Sequence, residues 1–369
     1  MDFTLDEDSL AVQGLAREIL TDRATTARVR EVETSDTRVD EELWAALTSA
    51  GLTGLLVPDE HGGAGLGLEA LAVLLEEQGR TVAPVPVWPT AVATLALARA
   101  DAAGGAHGPL LTGIASGSAR VTVALEEYGA ADPAAPSTSA SEVGGRWLLT
   151  GVKAAVPSPV GAGHVLVSAA TPDGPGLFLV AAHAEGVRWE TMPVTTHDLA
   201  GELTLDGAEG QPVGSGAALA ETLRDARIAL AALQLGVAQG ALALAASYLA
   251  EREQFGRPLG SFQAVQHQLA DCWIDIDALR VTLAQAVSDA EADSPSAAAS
   301  ALVVSWWRAQ AGLDVVHRVQ HVHGGIGVDV DYPVHRFFLW GKQLSGTLGG
   351  AAATLADLGD VVVRDGVAS

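Results

Sequence analysis

The chain has 369 residues, room for two or three domains at roughly 100–200 residues each. Charged residues make up only 18%, and 45 acids against 21 Lys and Arg leave a formal charge of −24, which argues against the basic surface that nucleic acid or an anionic membrane requires. A single cysteine, Cys272, leaves no internal disulfide framework and points to a reducing compartment.

The start, MDFTLDEDSL, is acidic and lacks the basic region and apolar core of a secretory signal, so a cytoplasmic location is expected. From Phe3 to about Ala119 the chain reads as helices. Asp6 to Arg23, Val39 to Ala50 and Leu66 to Gly79 carry apolar residues at helical spacing, with glycine-rich breaks between them. From Val121 to about Val213 the period becomes two, in the short runs VTVAL, RWLLTG, HVLVSA, GLFLVA, VRWETM and ELTL. Within that region the Ala/Pro/Ser-rich stretch Gly129 to Gly145 reads as a loop. Beyond about Ala217 the pattern predicts four long helices, at roughly 218–252, 260–291, 296–322 and 332–362. This order gives three packed units: a helical N-terminal domain (1–119), a middle β domain of barrel or sandwich type (120–214) and a C-terminal four-helix bundle (215–369).

One stretch, Ile228 to Ala250, carries no charge and is long enough to span a bilayer, with Gly236 and Gly240 at small-xxx-small spacing. Gln234, Gln239 and Ser247 recur through it and charges flank both ends. The buried helix of a large bundle is therefore the expected role, and no membrane partner is expected.

Three constellations suggest chemistry at first sight. His317, His321 and His323 share a helix, but HRVQH lacks the glutamate of HExxH, so no metal site is expected. Cys272 sits in an apolar helix, where an inert buried thiol is the default. Glu126, Glu127 and Asp132 can be read as an acid/base pair, yet in a Gly/Ala/Pro-rich loop a solvated surface is the better reading.

Three further segments carry a resemblance. VPDEHGGAGLGLEALAVLLEEQGR (Val57–Arg80), YLAEREQFGRPLGSFQAVQHQLAD (Tyr248–Asp271) and HVHGGIGVDVDYPVHR (His321–Arg336) are similar, in order, to segments of the acyl-CoA dehydrogenase family. The resemblance implies that fold, with FAD as cofactor and α,β-desaturation of an acyl-CoA thioester. In the family a glutamate removes the α-proton and the flavin N5 accepts the β-hydride. The family's tetramers place each FAD across a subunit boundary. One subunit holds the flavin ring, the acyl-CoA and the base, while its neighbour contacts the adenosine-diphosphate half.

The contacts given to the neighbour are largely kept. The Arg and Phe of R-x-x-F-G are Arg252 and Phe255, and the later FAD-contacting glutamine corresponds to Gln263. In the second fingerprint His321 takes the place of a glutamine, with Gln320 just before it, and Gly324 and Gly325 are retained. A guanidinium matches pyrophosphate oxygens, and glycines allow close backbone approach.

The contacts a subunit keeps for itself are not. The family's T-E-P-x-x-G-S-D segment aligns with Glu126 to Pro133, so Glu126 replaces a donor threonine and Asp132 a serine. Its G-x-K-x-W-x-(S/T)-N aligns with Gly151 to Ser158, placing Ala155 where tryptophan packs on the flavin and Pro157 where a hydroxyl bonds N5. Its Y-E-G-T falls on Thr347 to Gly350, so Leu348 holds the catalytic Glu position. The alternative base position, before a structural Arg that resembles Arg227, is Ala226. Neither side chain can take a proton. Asp225 is adjacent but about 100° around a helix. An arginine expected after the DYP segment is replaced around Leu339 and Trp340.

The pattern resembles the non-catalytic subunit of heteromeric, α2β2 acyl-CoA dehydrogenases of actinobacterial steroid side-chain degradation. It implies a related catalytic subunit as partner, FAD shared with it, a bulky acyl-CoA bound mainly by that partner, electron-transfer flavoprotein as acceptor, and little activity from this chain alone. A self-sufficient flavoenzyme with another base or oxygen chemistry, or a flavin-free scaffold, is the alternative.

Overall fold

The computed structural model describes residues 3–129 and 132–365. Met1 and Asp2 of the acidic start, and Ala130 and Ala131 of the loop aligned with the family's flavin segment, lie outside the described residues.

Six helices come first: α1 (Glu7–Arg23), α2 (Thr26–Val32), α3 (Glu41–Ser49), α4 (Leu68–Thr81), α5 (Val87–Ala102) and α6 (Gly108–Ala115). Asp6 and Asp40 cap α1 and α3, accepting from the backbone N–H of Ser9 at 2.7 Å and of Leu43 at 3.1 Å. Each satisfies a donor that the first helical turn leaves open. Seven strands follow: β1 (Val121–Ala124), β2 (Ser139–Val143), β3 (Arg146–Pro157), β4 (His164–Thr171), β5 (Gly174–Ala181), β6 (Val187–Pro193) and β7 (Leu199–Gly214). Then come α7 (Gly216–Glu251), a hairpin of β8 (Glu253–Gln254) and β9 (Arg257–Pro258), α8 (Gln263–Glu291), α9 (Ala297–His323), α10 (Val334–Gly346) and α11 (Ala351–Asp365).

Two compact units form: Met1–Val29 with Ala72–Ala83 and Arg227–Ser369, and Arg30–Leu71 with Pro84–Ala226. In the second unit β4, β2, β3, β7 and β5 pair in that order, and β5 returns to β4, closing a ring. β1 adds in parallel to β4, and β6 adds to β7. Alternating inward residues, among them Leu149, Val165, Val167, Phe178, Val180 and Leu203, fill the ring. Part of the predicted loop Gly129 to Gly145 is thus a strand, β2: Ala140 turns into the core and Ser139 to Val143 pair with β3, while the alternation is masked by small side chains.

In the first unit the charge-free stretch lies in α7. A window of this helix reaches a mean hydropathy of 1.8, yet 78% of the window is buried inside the protein. Its glycines serve packing against α4. A methyl on Gly236 would stand 1.9 Å from the Glu76 carbonyl oxygen, one on Gly79 2.1 Å from that of Leu233, and one on Gly240 2.5 Å from that of Arg80. The small-residue spacing thus lets two backbones of one chain touch. Arg17 of α1 locks onto the same segment through a fork to Glu77, at 2.7 and 3.1 Å.

The predicted fourth long helix is two helices. Leu348 and Gly349 adopt left-handed φ values of 55° and 89°, which ends α10 before α11 begins. Gly346, Gly349 and Gly350 make that break inexpensive.

Candidate functional site

The segments aligned with the flavin-ring half lie in the second unit. Glu127 and Lys153 form an ion pair of 2.6 Å, their side chains 3% and 0% exposed. The Lys153 ammonium also donates to Ser168 Oγ at 2.9 Å. Glu127 accepts from the backbone N–H of Ser137 at 2.7 Å and of Thr138 at 3.0 Å, and from the Ser137 hydroxyl. Burial works against the Glu127 charge, but Lys153, Ser137 and Thr138 outweigh it and hold the carboxyl at about 2. The carboxylates of this loop therefore do not form a uniformly solvated surface. Glu127 is a buried tether between the loop and β3, whereas Asp132 is exposed and accepts from Ala134 N–H at 2.8 Å.

Around this tether the chain offers little to a flavin ring. Glu126 joins the sheet through its backbone, its carbonyl accepting from Ala154 N–H at 2.9 Å. Ala155 sits in a bulge between the paired residues Lys153 and Val156 at a φ of 50°, exposed, with only a methyl group to present. Pro157 has neither N–H nor hydroxyl, and its carbonyl accepts from Thr122 Oγ1 at 2.5 Å.

The two positions aligned with the family's bases are buried and apolar. Ala226 is fully buried. Its neighbour Asp225 is fully buried too, clamped by Arg99 at 2.6 Å and by Arg224 at 2.9 Å. The carboxylate is thus committed to two structural ion pairs. In the first unit Leu348 is 4% exposed. The turn that carries it is held from below by the buried Arg308, whose guanidinium donates to the carbonyls of Thr347 at 3.0 Å, Gly349 at 3.5 Å and Leu344. Arg227 reaches Asp357 of α11 at 3.4 Å.

The outward half is built differently, again within the first unit. After α7, Phe255 and Gly256 take left-handed φ values of 55° and 79°, the pattern of a two-residue hairpin turn joining β8 and β9. That turn leaves Phe255 88% exposed. Arg252 is exposed, its backbone pinned by Tyr248 and Leu259, and its guanidinium makes no hydrogen bond among the described residues. Gln263 is exposed as the first residue of α8. At the end of α9, His321, Gly324 and Gly325 are exposed, and a side chain built on either glycine would meet open space. Gln320 does not stand in for His321, because its amide donates to the Gly327 carbonyl. A phosphate-bearing ligand fits this set: a free guanidinium, an amide, an imidazole and accessible backbone. The ring-side set does not fit a flavin, for want of donors and of the aromatic cover.

Sequence reasoning missed several supports. Arg257 stacks on Phe262 at 4.0 Å, and Phe262 meets Phe255 edge-on at 6.0 Å, stiffening the hairpin. Beneath Gly324, the buried His323 stacks on Tyr248 at 4.8 Å and leans on Tyr332 at 5.5 Å. His317 turns instead to Phe338 at 4.9 Å, so the three histidines do not gather as metal ligands. Burial pushes the Cys272 thiol up to about 11, the value of an unreactive group. His61 pairs with Asp101 at 2.9 Å, and Asp101 also accepts from the N–H groups of His107 and Gly108, capping α6. The aromatic partners could have been suspected from the FGRPLGSF run; the long-range pairs leave no local signal.

Comparison with known proteins agrees with this architecture. Models of the acyl-CoA dehydrogenase N-terminal and C-terminal domains match residues 6–107 and 214–357. Acyl-CoA dehydrogenase FadE27 of Mycobacterium tuberculosis is 38% identical, over 97% of this chain and 98% of its own. Among solved structures, the steroid ACAD Tcur3481-Tcur3483 is 60% identical with a TM-score of 0.95, covering 99% of this chain and 100% of the matched one. A chain of the ChsE4-ChsE5 complex from Mycobacterium tuberculosis is 35% identical with a TM-score of 0.91, over 99% of both. With its helical N-terminal part, central sheet and helical C-terminal part, this chain belongs to the acyl-CoA dehydrogenase family of oxidoreductases.

Proposed function

We propose that this chain is the non-catalytic half of a heteromeric acyl-CoA dehydrogenase that desaturates a bulky, steroid-side-chain acyl-CoA. Under this reading it pairs as α2β2 with a related chain that carries the glutamate base and most of the acyl-CoA contacts, in the cytoplasm, with electron-transfer flavoprotein as acceptor. The organisation into residues 1–119, 120–214 and 215–369 belongs to the same proposal. The observation that carries it is the contrast between two sets of positions. Both base positions, Leu348 and Ala226, are buried and apolar, while Arg252, Gln263, His321 and Gly324 stand exposed where a neighbour's cofactor could meet them. The ChsE4-ChsE5 complex named above supports a partner of the same family.

FAD would supply the two-electron acceptor. Arg252 would pair with its pyrophosphate, His321 and Gln263 would donate to the same half, Gly324 and Gly325 would leave room for it, and Phe255 would cover it. No proton moves on this chain's side, because no unpaired carboxylate occupies either base position. The chain's part is to bind, orient and shield the cofactor held by its partner.

The test is to purify this chain alone and together with a Glu-bearing relative, recording mass, flavin absorbance and turnover. The pair should be a yellow, active tetramer and the lone chain colourless. A lone chain that retains one FAD per subunit and is bleached by an acyl-CoA would overturn the reading in favour of a self-sufficient enzyme. A stable pair with no flavin would overturn it in favour of a scaffold. In the active pair, Arg252→Ala should weaken FAD retention by about 10–100-fold, the worth of a charge-assisted hydrogen bond.

A further inference from the structure

In the second unit a histidine and two carboxylates converge away from every position aligned with the flavin ring, the bases or the outward FAD contacts. Glu60 and His61 lie on one tight turn, Asp59–His61, in the glycine-rich loop between α3 and α4; Asp101 lies in the last turn of α5. His61 Nε2 stands 2.9 Å from Asp101 Oδ2 and 3.7 Å from Glu60 Oε1. One ligand atom from each of the three residues lies within 4.8 Å of the other two. Ligands held 2.0–2.2 Å from a tetrahedral ion are roughly 3.4 Å from one another, so a single ion fits among these atoms after a small movement of the glutamate.

Two of the three groups are fixed in advance. The His61 N–H donates to the Pro58 carbonyl at 2.9 Å, which pins the turn, and the ring is seated against the start of α6. A methyl on Gly108 would stand 2.7 Å from His61 Cε1, so the glycine is what admits the ring. Asp101 is held from the other side. Its Oδ1 accepts from the N–H groups of His107 and Gly108 at 2.7 and 3.0 Å, which orients the carboxylate and leaves Oδ2 facing the cluster. Hydrogen bonds of this kind orient the carboxylates that hold metal ions.

The negative charge is not answered by any basic side chain other than the histidine. Among the described residues neither Glu60 nor Asp101 pairs with a lysine or arginine, so two carboxylates face one imidazole. At 3.7 Å, Glu60 Oε1 is beyond hydrogen-bond range of Nε2, so no proton bridges that pair. The His61 and Asp101 side chains are 19% and 16% exposed, whereas Glu60 is 75% exposed and free to close from the solvent side. An imidazole selects against Mg²⁺ and Ca²⁺, which take oxygen ligands, and suits Zn²⁺. We propose that Glu60, His61 and Asp101 bind one Zn²⁺ ion, with water in the remaining position, stapling the glycine-rich loop to the corner between α5 and α6. As the ion enters, the proton on Nε2 passes to Nδ1 and the imidazole stays neutral.

The probe is zinc chloride, titrated by calorimetry into chelator-treated protein in the assembly in which it purifies. One ion per copy should bind, and a large excess of Mg²⁺ or Ca²⁺ should not displace it. Glu60→Gln keeps the length of an exposed side chain and should weaken Zn²⁺ at least about tenfold, since even the hydrogen-bond partners of metal ligands are worth about 10–100-fold. His61→Ala should weaken it at least about 100-fold. Zn²⁺ should raise the melting temperature of the parent by a few degrees, and that of Glu60→Gln by less at the same concentration. No saturable binding, an affinity unchanged in Glu60→Gln, or displacement by equimolar Ca²⁺ would each overturn the proposal. If His61→Ala does not fold, Glu60→Gln decides alone. Zinc binding is read without flavin or turnover, so its failure and the failure of the assembly proposed above are distinguishable.

Discussion

Lys153 and Glu127 carry the clearest lesson at the scale of single residues. Both lie in segments aligned with the family's flavin-ring motifs. Their pairing across the loop and β3 was not legible, because nothing local links a glutamate to a lysine in a distant strand. The consequence is measurable. Lys153→Met leaves a buried carboxylate without its cation and should cost about 3–5 kcal/mol at neutral pH, read from urea unfolding. The sign with pH follows from Glu127, whose carboxyl lies at about 2 in the fold against an ordinary glutamate value of 4.5. Its contribution is fully present above 4.5 and is lost as pH falls from 4.5 towards 2. The gap between parent and variant should therefore narrow across that interval; a constant gap would show that the pair does not govern it.

At the scale of elements, periodicity located the strands and the long helices, and its failures have identifiable causes. β2 was hidden because Ser139, Ala140 and Ser141 give no contrast between inward and outward positions. The break between α10 and α11 was hidden because the apolar helical spacing continues on both sides of it, and only Gly346, Gly349 and Gly350 marked the place. The glycines of α7 had the opposite history. Their spacing was legible, but it fits a membrane helix and a tight soluble contact equally well, and only burial against α4 distinguishes the two. Gly236→Leu tests that contact. With the Glu76 carbonyl 1.9 Å from a built methyl, the helices must separate, at a cost of about 1–3 kcal/mol or more. A variant as stable as the parent would mean that α4 can shift freely.

For the whole molecule, the candidate site was legible as a set of identities and illegible as a set of constraints. The sequence aligned Leu348 and Ala226 with the family's two base positions. It did not disclose that Arg99 and Arg224 hold the adjacent Asp225, or that Arg308 fixes the turn bearing Leu348. Those constraints bear on repair. Leu348→Glu in this chain should yield no dehydrogenation above background, because Glu126, Ala155 and Pro157 still offer no seat to a flavin ring. It should also lower the melting temperature, since it places a carboxyl in a nearly sealed apolar position. Turnover by that single variant would show that the ring-side pocket had been misjudged.

The ring of strands has a bearing on how any second chain could attach. β5 closes onto β4 along its length, but β2 meets β4 only at Ser139, so among the described residues the open backbone edges of the sheet belong to β1, β6 and the outer part of β2, which displays Glu142. β1 is buried along its length, and β6 displays Arg188 and Glu190, charges that discourage strand addition. Main-chain pairing, which tolerates almost any partner sequence, is thus largely closed off. Recognition must be written in side chains, where a few substitutions can admit one relative and reject another.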